Sequence, residues 1–295
     1  MKNLLYYGTT VIVWGTTWLG IKLQLGIVDP MASVCYRFML AAFILIVYCL
    51  LAGLHMRFTL KEHVYMGLQG FFLFSINYWL FYVAELYIVS GLAAVIFSTI
   101  VFMNIINGAI FLKSPIEPRM IIGAVLGLTG IGLVFWPEIS GFQLTRASLL
   151  GLTLGVTSTF LASLGNIISA FNQKRRLPVI QTNAYGMAYG ALIMMATALI
   201  TGREFSFHVS PVYIGSLFYL AIFGSIIGFG CYLTLIGRIG ADRAAYASLL
   251  FPLVALGIST FVEGYQWTAF AITGVTAIMA GNLLILKKKP VSIIR

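Results

Sequence analysis

The sequence predicts an all-α integral membrane protein with ten transmembrane helices, built from two inverted five-helix repeats. Three observations support this fold class. Of the 295 residues, 60% are hydrophobic and only 9% are charged, whereas soluble domains average about 25% charged residues. The apolar residues fall into ten long windows. The Lys and Arg residues outside these windows lie almost entirely in every second connecting segment, which is on one predicted side of the membrane.

Each of the ten windows is long enough to cross a bilayer as a helix. They span residues 4–25, 31–52, 64–86, 91–112, 120–136, 148–171, 179–201, 212–236, 243–262 and 267–286. About 20 such residues are needed to cross a hydrocarbon layer about 30 Å thick. Backbone polar groups in lipid must be satisfied within the protein, which leaves helices or closed barrels. Because the windows lack the strict alternation of barrel strands, each one is predicted to be helical.

Loop charge predicts the orientation of these helices. With the N-terminus placed in the cytoplasm, the cytoplasmic segments hold 14 Lys and Arg residues, and the outer loops hold only Arg146 and Arg203. Lys and Arg are concentrated on the cytoplasmic side of membrane proteins. This distribution requires an even number of crossings and predicts that both termini are cytoplasmic.

The two halves of the chain resemble each other. Residues 91–123 parallel residues 241–274, since both run from small residues to a Ser, then to Phe-x-Lys or Phe-x-Glu, then to a Gly-rich helix. Each half holds five windows, an odd number, so the second copy is predicted to be upside down. We therefore place the repeats at residues 1–143 and 144–295. Such inverted repeats recur in secondary transporters.

Glycine spacing predicts close contact between helices. Four GxxxG pairs begin at Gly123, Gly151, Gly186 and Gly224. Gly at this spacing lets helix backbones approach each other closely. Tight internal packing is one interpretation, and a dimer interface or a sliding surface during gating is the other.

Composition and motifs exclude several function classes. The net charge is +10, but the basic residues lie in short loops and at window ends, where they meet lipid headgroups rather than nucleic acid. Cys35, Cys49 and Cys231 lie inside windows without metal-ligand spacing, so we expect neither a metal nor a cofactor. The sequence contains no phosphate-binding loop or hydrolase motif. We therefore predict no enzyme, and expect energy to come from a gradient or from exchange.

Several local patterns resemble a known family. They are WGTTW at 14–18 followed by Lys22, DP at 29–30, RF at 37–38, YVAELY at 82–87 and SGLAA at 90–94. The chain resembles the EamA family of the drug/metabolite transporter superfamily, and the repeat covers nearly the whole chain twice. The resemblance implies a carrier of small metabolites in the bacterial cytoplasmic (inner) membrane, frequently an exporter. The family often has a Pro midway along the fourth helix of the repeat and a Glu near the end of that helix. Pro252 and Glu263 keep this pattern in the second half, whereas Met103 and Lys113 stand near these places in the first half.

Three charged residues lie within the windows in the predicted outer leaflet: Lys22, Arg37 and Glu85. Charges inside a bilayer are costly and mark candidate functional sites. Two interpretations stay open. The three side chains either form a structural salt-bridge cluster at the outer interface, or line an outer vestibule. In the vestibule, the two cations would bind a substrate carboxylate and Glu85 would bind an amine or a proton.

Six further residues are candidates for substrate binding. They are Trp14, Trp18, Asn77, Tyr78, Tyr82 and Asn104. The two asparagines lie at mid-span, where carriers of this architecture keep a central site. The aromatic residues form two pairs with i, i+4 spacing, so each pair shares a helix face. They either anchor helices at the membrane surface or form the wall of a cavity for a flat or amphipathic substrate.

Together these patterns predict a secondary-active transporter that exports amino acids or related metabolites by alternating access. Each repeat contributes to a central cavity, and rocking of the repeats exposes it to one side at a time. The alternatives are a drug or toxic-compound efflux carrier, a non-transporting membrane sensor or scaffold, a membrane-embedded enzyme and a channel. Proton or solute coupling and a homodimer stay open.

Overall fold

The computed structural model describes residues 2–24, 28–262 and 266–286, and over these ranges the chain is helical with no strand. The α-helices are α1 (Lys2–Lys22), α2 (Pro30–Leu51), α3 (Leu60–Leu73), α4 (Ile76–Ala84), α5 (Ser90–Ser98), α6 (Ile100–Leu112), α7 (Pro118–Val134), α8 (Trp136–Ser140), α9 (Arg146–Lys174), α10 (Val179–Ile200), α11 (Pro211–Tyr219), α12 (Gly228–Ile239), α13 (Ala241–Ala244), α14 (Phe251–Val262) and α15 (Ala269–Leu286). A π-helical segment (Leu220–Ile227) joins α11 to α12, and a 3-10 segment (Ala245–Leu250) joins α13 to α14. Every predicted window therefore contains helix, and the prediction of an all-α chain is confirmed.

Six stretches of the described chain are long and apolar enough to cross a membrane. They are Pro30–Leu51, Gly91–Leu112, Arg146–Lys174, Val179–Ile200, Pro211–Ile239 and Ala241–Ile258. Two shorter apolar helices, Pro118–Val134 and Ala269–Ile285, lie in two further windows. The protein is thus a multi-pass membrane protein. The count of ten crossings stays a prediction, because it also requires α1 and the joined pair α3 and α4 to cross.

Polar residues begin or bend several of these helices. Thr59 and Thr145 form capping boxes at the starts of α3 and α9, and the Asp29 carboxylate accepts a hydrogen bond from the Met31 amide at the start of α2. Ser75 separates α3 from α4, and its hydroxyl donates to the Phe71 carbonyl over 2.7 Å. Such bonding of a Ser to its own helix bends the helix. The window 64–86 is therefore broken near its middle.

The helices pack around two long central ones. Helix α9 packs on α3, α4 and α6, and α1 packs on the π-helical segment, α12 and α14. Helices α2 and α10 form one close pair, and α7 and α15 form another. The main buried core lies between α1, α2, α3, α4, α10 and α12.

Glycine lets the pair α7 and α15 approach at the backbone. A Cβ atom at Gly130 would lie 2.6 Å from the Gly274 carbonyl oxygen, and one at Gly281 would lie 2.6 Å from the Gly123 carbonyl oxygen. No side chain fits at these crossings. Close approach of this kind is how helices associate where lipid supplies no hydrophobic drive.

Candidate functional site

A central cavity lies between α1, α2, α4, α5, α9, α12 and α14, with about 820 Å³ of space free of protein atoms, counting its open part. Five of the nine predicted site residues line it: Trp14, Arg37, Asn77, Tyr78 and Tyr82. These five come from three separate helices. The cavity therefore brings side chains from both halves of the chain together around one space.

Arg37 is the charged residue of the cavity wall and is 1% exposed. Its Nε donates to the Ser225 hydroxyl oxygen over 2.9 Å. Its guanidinium carbon lies 4.9 Å from the centre of the Tyr78 ring, which is within the range of a cation–π contact. Its Nη1 is buried without a hydrogen-bond partner. A buried cation in this state is held in place, and none of the carboxylates that the structure describes pairs with it.

In the described part of the chain, the ion pairs join Arg119 to Glu117, Arg203 to Asp29 and Arg243 to Glu117. Arg37 is in none of these pairs, so the salt-bridge interpretation of the outer charges does not hold for Arg37. Glu85 follows the last residue of α4 and does not line the cavity, but it lies close enough to Tyr82 of the cavity wall to interact with it electrostatically. One of its oxygens, Oε1, is buried without a hydrogen-bond partner. The side chain of Lys22, the third member of the predicted cluster, lies outside the described residues.

Trp14 belongs to an aromatic cluster that forms part of the cavity wall. Its indole nitrogen donates to the Gly224 carbonyl oxygen over 2.9 Å. Its ring contacts Phe229, Tyr232 and Phe251, with ring centres 4.8, 4.9 and 5.4 Å away. Trp14 therefore acts as a cavity wall rather than as an anchor at the membrane surface. The side chain of its partner in sequence, Trp18, lies outside the described residues.

The π-helical segment positions both Trp14 and Arg37. Gly224 accepts the hydrogen bond of Trp14, and Ser225 accepts that of Arg37. A Cβ at Gly224 would lie 2.9 Å from Arg37 Nη2, and one at Gly228 would overlap the Trp14 indole. The GxxxG pair in this segment thus packs internally, against two site residues. Short π-helical turns are frequent at functional sites.

Tyr82 and Asn77 add polar groups to the same wall. The Tyr82 side chain is 1% exposed, and its hydroxyl has no hydrogen-bond partner. Asn77 is 5% exposed, and its Oδ1 is also without a partner. The Ser158 hydroxyl donates to the Asn77 backbone oxygen over 2.6 Å, which ties α9 to α4 beside the cavity.

Asn104 lies behind the cavity wall rather than in it. Its Nδ2 donates to the Ala241 carbonyl oxygen over 3.0 Å, and its Oδ1 lies 3.5 Å from Asn166 Nδ2. Asn166 also donates to the Tyr232 hydroxyl over 3.2 Å, and both of these residues line the cavity. Ala241 lines a second pocket, between α6, α9 and α12. The Asn104–Asn166–Tyr232 layer therefore separates two pockets.

Sequence reasoning missed several wall residues. Phe229, Tyr232, Ser248 and Phe251 line the cavity but were not among the predicted site residues, and Ser225 supports it from behind. All five come from the second half of the chain. The Gly224–Gly228 spacing was the one signal in the sequence that pointed to this region.

A multi-pass helical bundle with a cavity between its helices is typical of membrane transporters. The chain matches the model of the EamA-like transporter family over residues 2–136 and again over residues 149–287. The protein therefore belongs to the EamA-like transporter family, as its sequence motifs predicted.

Named relatives agree with this assignment. Protein PagO of Salmonella typhimurium is 27% identical over 93% of this chain and 90% of its own length. A probable amino-acid metabolite efflux pump of Escherichia coli K12 is 26% identical over 92% of this chain and 90% of its own. An uncharacterized inner membrane transporter, YedA of Escherichia coli K12, is 26% identical over 88% of this chain and 84% of its own.

One solved crystal structure shows the same fold. It superposes on the chain with a TM-score of 0.75 and covers 96% of each chain, at 16% sequence identity. At this identity the likeness concerns the fold alone.

Proposed function

We propose that the protein is a secondary-active transporter that exports amino acids or related small metabolites across the bacterial inner membrane by alternating access. It crosses the membrane ten times, with both termini in the cytoplasm, and its inverted repeats are residues 1–143 and 144–295. The observation that carries the proposal is the central cavity. It is lined from both halves of the chain and holds the buried, unpaired guanidinium of Arg37.

The helix contacts support the inverted repeat. Under the proposed duplication, α1 corresponds to α9, and α3 with α4 corresponds to the stretch from α11 to α12. Helix α9 packs on α3, α4 and α6, and correspondingly α1 packs on the π-helical segment, α12 and α14. The close pairs α2–α10 and α7–α15 each join a helix to its own counterpart. A two-fold axis in the membrane plane would produce these pairings.

The position of the cavity supports alternating access. Arg37 lies seven residues after the start of α2 at Pro30, and Tyr82 lies near the end of α4. Both of these helix ends are outer ends in the proposed topology. Towards the cytoplasm, the layer of Asn104, Asn166 and Tyr232 closes the cavity. In the proposed cycle this arrangement would be the outward-facing state, and rocking of the repeats would open the other side.

The direction and the substrate class rest on the relatives. Two of them, in Escherichia coli and Salmonella typhimurium, are named probable amino-acid metabolite efflux pumps. A drug or toxic-compound efflux carrier is the second candidate. The observation in its favour is the aromatic wall of Trp14, Phe229 and Phe251, which suits apolar compounds.

Solute flux in proteoliposomes tests the proposal. The purified full-length protein is reconstituted, and uptake is followed for radiolabelled amino acids, their deaminated acids and cationic dyes. We expect flux that saturates with concentration for at least one compound, and acceleration by the same compound on the opposite side. Flux that rises linearly without saturation would indicate a channel, and no flux above that of protein-free liposomes would contradict transport.

A further inference from the structure

The charge of the cavity wall points to the sign of the substrate. Among the lining residues that the structure describes, Arg37 carries the charge, and the other polar groups are hydroxyls and amides such as Thr17, Asn77 and Ser158. Arg37 is 1% exposed and makes no ion pair with a carboxylate of the described residues. An unpaired cation in a poorly hydrated site strongly favours binding of an anion.

Two neighbouring polar groups of the cavity wall keep hydrogen-bonding capacity. Arg37 Nη1 and the Tyr82 hydroxyl are both buried and lie close enough to interact with each other, but neither has a hydrogen-bond partner of good geometry. A carboxylate offers two oxygens that accept several hydrogen bonds, and it matches a guanidinium in shape as well as in charge. The contacts of Arg37 with Ser225 and with the Tyr78 ring hold it ready for such a ligand.

The rest of the wall is apolar and aromatic. Trp14 packs edge-on against Phe229 and Phe251, and Phe97 and Phe81 complete the wall. Rings in such arrangements bind flat apolar groups through their faces and edges. A substrate with a carboxylate at one end and a flat apolar body at the other satisfies both parts of the cavity.

We propose that this cavity selects organic monoanions, namely carboxylates with a flat apolar body, and does not require the α-ammonium group of an amino acid. The inference rests on the proposed transport function and narrows its substrate class. The carboxylate binds Arg37 and Tyr82, and the body lies against the wall around Trp14. Aromatic amino acids enter through the same two contacts, and their deaminated acids are the better substrates.

An anionic substrate also defines the driving force. A bacterial membrane is negative inside, so an anion that leaves the cell moves down the electrical gradient. A membrane potential of 100 mV acting on one elementary charge corresponds to about a 50-fold ratio between the outer and the inner concentration of the anion at equilibrium. Export of the anion alone therefore needs no proton coupling.

A matched series of three probes tests the selectivity in wild-type proteoliposomes. They are 3-phenylpropionate, which has the carboxylate alone, phenylalanine, which has both groups, and phenethylamine, which has the ammonium alone. We expect saturable flux of 3-phenylpropionate with a KM no higher than that of phenylalanine, and a KM at least tenfold higher for phenethylamine. Flux of phenylalanine or phenethylamine without flux of 3-phenylpropionate would overturn the inference but leave transport standing. No saturable flux of any probe or of the wider panel would contradict transport itself.

Variants of Arg37 locate the recognition. Arg37→Gln is expected to raise the KM for 3-phenylpropionate at least tenfold and to leave that for neutral 3-phenylpropionamide unchanged, whereas Arg37→Lys keeps part of the preference for the acid. Arg203→Gln is the matched control, since Arg203 pairs with Asp29 over 3.6 Å outside the cavity and its loss should change neither KM. An unchanged preference for the acid in Arg37→Gln would overturn the assignment. If that variant fails to fold, the three probes on the wild type still decide the charge selectivity.

A potassium diffusion potential tests the driving force. With valinomycin and potassium trapped inside, an inside-negative potential should accelerate efflux of 3-phenylpropionate and slow its uptake. Flux that does not respond to the potential would show that the substrate crosses without net charge and would overturn export as an anion.

Discussion

At the scale of single residues, the contact between Arg37 and Ser225 holds the charged group of the cavity wall in place. The Ser225 hydroxyl accepts from Arg37 Nε over 2.9 Å and itself donates to the Leu220 carbonyl over 3.1 Å. One side chain of the second half therefore fixes the charged group of the first half. A hydrogen bond to a charged group contributes about 1.5–3 kcal/mol, which is enough to decide how well the guanidinium is oriented.

Ser225→Ala tests this orienting role. We expect the KM for a carboxylate substrate to rise about tenfold because Arg37 loses its fixed direction, an effect of about 1.4 kcal/mol, together with a lower melting temperature because the buried Nε loses its acceptor. Ser216→Ala is the control, since the hydroxyl of Ser216 bonds to the Tyr213 carbonyl of its own helix over 2.8 Å. KM values from flux assays provide the measurement. An equal rise in both variants, or in neither, would contradict the role given to Ser225.

Tyr82 offers an independent test at the same scale. Tyr82→Phe removes the hydroxyl that lacks a partner in the structure and keeps the packing of the ring. We expect a melting temperature at or slightly above that of the wild type, because an unsatisfied buried group is lost. The KM for a carboxylate substrate should rise about three- to tenfold. A KM equal to that of the wild type would show that the hydroxyl does not contact the substrate.

At the scale of the elements, the sequence predicted which residues form helices but not how each helix is rotated about its own axis. Long apolar windows mark helices because lipid leaves few other structures, and each window does contain helix. A helix that is apolar all round carries no periodic signal for its buried face. This is why the sequence indicates a mid-window position for Asn104 of α6 but not the face of the helix on which it lies. It turns to Ala241 instead of into the cavity.

The π-helical segment was unpredictable for a related reason. The segment Leu220–Ile227 is uniformly apolar apart from Ser225 and Gly224, and a π-helical turn depends on contacts made by other helices. Here those contacts come from Trp14 and Arg37. Wall residues such as Phe229 follow this segment, so their positions depend on it. The site residues that sequence reasoning found therefore all come from the first half of the chain.

The crossing of α7 and α15 leads to a prediction at this scale. In Gly130→Ala, the new Cβ would lie 2.6 Å from the Gly274 carbonyl oxygen, and two backbones would have to separate. We expect a loss of about 1–3 kcal/mol, as for other overpacked sites, seen as a lower melting temperature in detergent. Gly132→Ala on the same helix is the control, because a Cβ there meets nothing within 4 Å. Equal melting temperatures for the two variants would contradict close contact at Gly130.

At the scale of the whole molecule, several contacts join the two halves at the end that the topology places in the cytoplasm. Glu117 at the start of α7 accepts from Arg243 of α13 over 3.0 Å. The Tyr7 hydroxyl donates to Asn282 Oδ1 over 2.5 Å, and the Tyr246 hydroxyl donates to the Met120 carbonyl. These contacts and the Asn104 layer close the same side of the cavity. In an alternating-access cycle, the inward-facing state must break contacts of this kind, so each one biases the equilibrium towards the outward-facing state.

Glu117→Gln is predicted to shift that balance. The side chains of Glu117 and Arg243 are 16% and 37% exposed, so the loss of charge should weaken the outward-facing state by at most about 1 kcal/mol, or about fivefold in population. A cysteine at Ser248, which lines the cavity, reports the change in a background without the three native cysteines. In Glu117→Gln, a membrane-impermeant maleimide should label it up to about fivefold faster in inside-out vesicles, because the minor inward-facing population rises, and more slowly by a smaller factor from the outside. Glu138→Gln, at an exposed residue of α8, is the control with the same loss of charge at the predicted outer end. Labelling that changes equally in Glu117→Gln and Glu138→Gln would show that net charge, and not the ion pair between Glu117 and Arg243, controls access to the cavity.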